Sequence, residues 1–138
     1  MARAVVAGAG LALALAGCGG GHARPATAKP KAEPKFSATL TARTHRPKAN
    51  TPWRYTIYVT DLHGRPIAAK VRMQVLFNGF PAGQVDNGKT FSFDGTWREP
   101  RNAPVIWPPA SRGRALTFEA LVTARGQTKK LDYAIRVR

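Results

Sequence analysis

Cysteine is almost absent from this chain. One residue, Cys18, stands in a sequence of 138, so no disulfide can form within the chain and no thiolate cluster can hold zinc or iron. Carboxylates are scarce too, with 7 Asp and Glu against 22 Lys and Arg. Beyond Glu33 they fall singly, at Asp61, Asp86, Asp94, Glu99, Glu119 and Asp132, which gives no paired acid and base for catalysis. Three histidines and two methionines are too few and too scattered for a copper or zinc cluster. His22 lies in a polar tail, His45 and His63 lie in loops beside Arg and Pro, and Met73 sits alone on an apolar face. No Gly-rich phosphate loop, HExxH or Gly-x-Ser-x-Gly occurs. The expectation is a protein that is not an enzyme, with no cofactor and no metal. Asp61 and His63, two apart in one turn, are the one weak metal pair, and an Asp at such a place also caps its own turn.

A long hydrophobic run is missing as well. Ala4 to Ala16 is apolar apart from two glycines, but a spanning helix needs roughly 20 residues. Arg3 before the run and small residues after it give the three parts of an export signal. The run ends in Leu15-Ala16-Gly17-Cys18. This tetrad resembles the lipobox of bacterial lipoproteins, a branched apolar residue and two small residues before a cysteine. The resemblance implies a diacylglycerol on the Cys18 thiol, removal of residues 1–17, and a chain anchored by lipid on the extracytoplasmic face of the cell membrane. Several acyl chains bury methylenes at ~0.8 kcal/mol each, enough for stable anchoring.

What the chain has in excess is positive charge, +15 overall, with 14 Arg to 8 Lys. Together with abundant Ala, Gly and Pro this resembles the composition of a high-GC, actinobacterial protein. A cation held near a membrane concentrates at anionic headgroups or anionic wall polymers, although the charges form no dense run and also suit a solvated surface. Residues 18–35 form a tether, GGGHARPATAKPKAEPK after the cysteine, with no hydrophobic period. Extended at ~3.1 Å per residue it reaches at most about 50 Å.

From Phe36 the pattern turns to strict alternation. Phe36, Ala38, Leu40 and Ala42 share a face, as do Trp53, Tyr55, Ile57 and Val59, then Ala69, Val71, Met73, Val75 and Phe77. Asn78-Gly79 and Asn87-Gly88 are two-residue hairpin signals. After an irregular stretch from Gly95 to Gly113, Leu116, Phe118, Ala120 and Val122 alternate, and Arg125-Gly126-Gln127 turns the chain into Leu131, Tyr133, Ile135 and Val137. About seven strands with period two and no helical period predict an all-β sandwich over residues 36–138. The final pair, Ala115 to Arg138, resembles the closing hairpin of bacterial immunoglobulin-like domains, which implies that fold and little about function.

Recognition is expected in the long connection from Trp97 to Pro109. Trp97, Arg98, Arg101 and Trp107 are residue types that dominate binding hot spots, and aromatics beside cations suit glycans or anionic wall polymers. The other reading is that Ile106 and Trp107 fold back to plug the end of the sandwich. No recognition helix or aromatic RNA-binding face is visible, so no specific nucleic acid is expected. The functional expectation is a lipid-anchored cell-surface module that binds or scaffolds an anionic wall polymer or a partner protein. A solute- or metal-binding accessory lipoprotein of a transporter or respiratory complex is the alternative.

Overall fold

Alternation of large apolar and polar residues gives each strand one face that must leave water, and two such faces close on each other. The computed structural model describes residues 31–100 and 104–138. The expected leader, Cys18, the expected tether as far as Pro30, and Arg101 lie outside them. The strands are β1 (Ser37–Ala42), β2 (Pro52–Trp53), β3 (Tyr55–Thr60), β4 (Ala68–Phe77), β5 (Phe80–Gln84), β6 (Phe91–Asp94), β7 (Thr96–Arg98), β8 (Val105–Ile106), β9 (Ala115–Ala124) and β10 (Gln127–Arg136). One sheet has the order β1-β3-β7, the other β10-β9-β4-β5 with β6 also on β4, and β2 pairs with β8. The protein is an all-β, immunoglobulin-like sandwich.

The predicted faces form the core. Ile57 and Val59 of one sheet and Val71, Met73, Phe118, Ala120 and Val122 of the other are fully or almost fully buried. Each of these side chains other than Ala120 contributes about 1.5–3 kcal/mol by leaving water. At one end aromatic rings take over, with Phe118 packed edge-on against Trp53 at 5.1 Å and tilted against Tyr55 at 4.7 Å.

Three details depart from the expectation. The strand read over Trp53–Val59 is interrupted at Arg54, which divides β2 from β3. Asn78-Gly79 forms its hairpin, with both residues at positive φ and Phe77 opposite Phe80. Asn87-Gly88 does not, because Asp86, Asn87 and Gly88 all take positive φ within a short 3₁₀ turn. That turn shifts the chain sideways, so β5 and β6 lie one after the other along β4 and do not pair with each other. The stretch read as irregular holds β7 and β8. Gly95 alone links β6 to β7 and carries the chain from one sheet to the other. Its N–H donates to the Ile67 carbonyl at 3.0 Å and its carbonyl accepts from Val59 at 2.7 Å.

Candidate functional site: the pole away from chain entry

The sandwich has two ends, and the chain enters at one of them. There the Lys35 N–H donates to the Gln127 side chain at 2.8 Å, the Gln127 amide donates to the Glu33 carbonyl, also at 2.8 Å, and Phe36 is wholly buried. The turn after β3 closes the same end. Asp61, 2% exposed, accepts the N–H groups of His63 and Arg65 on one oxygen and the Arg65 guanidinium on the other, each at 2.9 Å. Arg125, next to Gln127, stands 3.7 Å away. The Arg65 backbone N–H, followed by that of His63 and by the guanidinium, holds the Asp61 carboxyl down to about 2. Asp61 therefore caps its turn. Among the described residues no three His, Cys, Asp or Glu come close enough together to hold a metal ion.

β9 runs from the far pole to this entry pole, and its 10 residues span about 30 Å at 3.2–3.4 Å each. The far pole carries two concavities. The first is an open, largely apolar cleft of about 580 Å³ whose walls include Val75, Phe77, Val105, Trp107, Arg114 and Leu116. Arg114 lies over the Phe77 ring at 5.8 Å, and Ile106 and Phe80 stand exposed at 52% and 74%.

The second is a depression of about 400 Å³ with Arg43, Arg46, Lys48, Arg54 and Arg138 in its lining and no acidic side chain. Local folding builds it. The segment after β1 alternates, with Pro47 and Ala49 buried and Arg46 and Lys48 exposed between them. It is laced to the last residues of the chain, the N–H groups of Arg136 and Arg138 donating to His45 and Pro47 at 2.8 and 2.9 Å and that of Ala49 to Arg138 at 2.9 Å. His45 stacks flat on Tyr133 at 4.0 Å. Trp53 is buried beneath and donates its indole N–H to the Thr44 carbonyl at 2.9 Å, and the Arg43 N–H reaches the Arg54 carbonyl at 3.4 Å. Among the described residues the ion pairs are those of Asp61 with Arg65 and Arg125, so none reaches these five cations, and Glu99 is the carboxyl near enough to feel one of them, Arg54.

A smaller hollow adjoins it, sharing Arg54 and adding Tyr55, Thr56, Arg98 and Glu99. Glu99 is 8% exposed. One carboxylate oxygen accepts the Val105 N–H and the other has no partner among the described residues. Burial, only partly opposed by that hydrogen bond and by Arg54, pushes its carboxyl up to about 7. Burial likewise pushes the Tyr55 phenol up.

The residues singled out from sequence therefore part company. Trp107 is 3% exposed, edge-on to Trp53 at 5.6 Å, and its carbonyl accepts the Asn50 N–H at 2.9 Å. It plugs the core while lining the cleft, and its buried indole N–H has no acceptor among the described residues. Trp97 is not in a loop. It is half-buried in β7, 4.7 Å from Phe91, and donates to the Tyr55 hydroxyl at 3.2 Å. Arg98 is exposed at the edge of the shared hollow, paired in register with Thr56. The cations of the larger depression were missed because they are spread over the β1–β2 connection, Arg54 and the last residue. The Arg-Pro-Lys-Ala alternation at residues 46–49 was the one local signal.

No protein-family model matches the chain, and no curated protein does. Among solved structures it is similar to the CARDB domain of the PF1109 protein from Pyrococcus furiosus, a structure described as in complex with di-metal ions. The two share 14% identity over 75% of this chain and 87% of that one, with a TM-score of 0.46.

Proposed function

We propose that this chain is a lipid-anchored, non-enzymatic module of the extracytoplasmic membrane face. It presents its far pole to an envelope component, an anionic wall polymer or a partner protein. One observation carries the reading. The chain enters at the pole held by Gln127, while the cleft and the cation-lined depression lie at the other end of β9. An anchor joined through the entry pole leaves the surface of the far pole available to a ligand. The lipobox-like tetrad supplies the anchor and the tether supplies reach, while the sandwich supplies a rigid platform on which exposed cations keep their spacing.

The test is fractionation of the native host with mass spectrometry of the mature N-terminus. The expected result is an acylated peptide beginning at Cys18 in salt-washed membranes, and loss of the chain from that fraction on Cys18→Ala. An unmodified N-terminus in the soluble fraction would overturn the anchor.

A further inference from the structure

The geometry points to the Arg43–Arg46–Lys48–Arg54–Arg138 depression as a binding site for a phosphate-bearing polyanion. This deepens the proposed function by naming a ligand class and a place for it, and it rests on that reading only for the source of the ligand.

The main-chain positions that carry the cations are set before any ligand arrives. Arg46 and Lys48 point outward because the buried Pro47 and Ala49 between them are fixed by main-chain hydrogen bonds to Arg138. Arg43 and Arg54 are brought side by side across the β1–β3 end. Like charges gathered in this way repel one another in the empty site, and an anion relieves the repulsion. Fixed backbone spacing also lowers the ordering cost of binding, which is then confined to the side chains.

Phosphate fits better than carboxylate. A carboxylate offers two oxygens in one plane and is satisfied by a single guanidinium fork. A phosphate offers oxygens in several directions, which suits guanidinium groups arriving from the β1–β2 connection, from Arg54 and from the chain's last residue. A polymer fits better than a single ion because the track continues. Arg54 also lines the second hollow, whose walls include Thr56 and the exposed Arg98. Glu99 is the carboxyl on that path, and burial favours its uncharged form.

The experiment uses the full chain carrying Cys18→Ala, kept in detergent, with inorganic polyphosphate and polyglutamate of matched charge as probes at about 0.15 M salt. Tighter binding of polyphosphate by at least about tenfold is expected. The triple variant Arg43→Gln, Arg46→Gln, Arg54→Gln should lose at least about tenfold in that affinity. Lys70→Gln, Arg72→Gln, Lys130→Gln removes the same charge from exposed sheet positions and should lose no more than about threefold. A double variant, Arg46→Gln with Lys48→Gln, alters only outward side chains; it should also lose more affinity than the sheet-face triple variant, which guards against a folding defect. Equal losses in the two triple variants would mean net charge alone acts and would overturn the site. Equal affinity for the two probes would overturn the choice of phosphate. Neither outcome depends on whether Cys18 carries lipid, so failure here leaves the anchor standing and the reverse also holds.

Discussion

Glu99 is the residue whose charge state the fold alters most plainly in the physiological range. In an unfolded chain a Glu gives up its proton near 4.3, whereas in the sandwich it keeps it to about 7. Between those values the folded chain holds more protons than the unfolded one, so stability falls as pH rises across that window and levels off above it. Glu99→Gln keeps an acceptor for the Val105 N–H and removes the charge. The variant and the natural chain should melt together at pH 4, and the variant should melt higher at pH 8. With solvent screening the gain is about 1 kcal/mol, a shift of about 4–8 °C for a domain of this size. Thermal unfolding at pH 4, 6 and 8 checks it; parallel curves would show that Glu99 ionises as in water. None of this was legible in the sequence. Glu99 there is one scattered carboxylate among others, and its burial beside the Val105 N–H is a product of the folded chain.

Elements fared unevenly by length. Strands β4, β9 and β10, at 10 residues each, repeat their period often enough to be read directly, and their apolar faces are the core. Strands β7 and β8, at 3 and 2 residues, are too short to carry a period, and they exist because β3 and β2 offer them an edge. Gly95 is the corner between sheets, and nothing in its sequence neighbourhood marks it as such. A Cβ there would stand 2.5 Å from the Pro66 Cβ at a φ of +62°. Gly79, in the hairpin, has φ +81° but nothing within 4 Å of a Cβ. Gly79→Ala should therefore cost about 1 kcal/mol for the left-handed backbone alone. Gly95→Ala adds steric conflict and should cost about 2–4 kcal/mol. Urea midpoints of the two variants measure the difference, and equal costs would mean that Pro66 yields freely.

At the scale of the whole molecule, a charge of +15 favours any anionic surface, and lipid and charge must be told apart by salt. The Debye length shrinks from about 10 Å at 0.1 M to about 3 Å at 1 M. Association of the Cys18→Ala chain with isolated envelopes should fall steeply over that range, while the natural chain stays bound; sedimentation at stepped salt reads both. Composition disclosed the excess of cations but not their address, since residues from separate segments meet only once β1 and β3 pair. Those same strands run lengthwise between the poles. Phe36 precedes one end of β1 and Arg43 follows the other, and the hydrogen bonds to β3 lie across the strand axis. A pull between the tether and the far pole is thus borne in shear, with every bond of the ladder loaded together instead of peeling in turn. Under load the lifetime of such a domain is set by its unfolding rate, and the fold places that load along its strands.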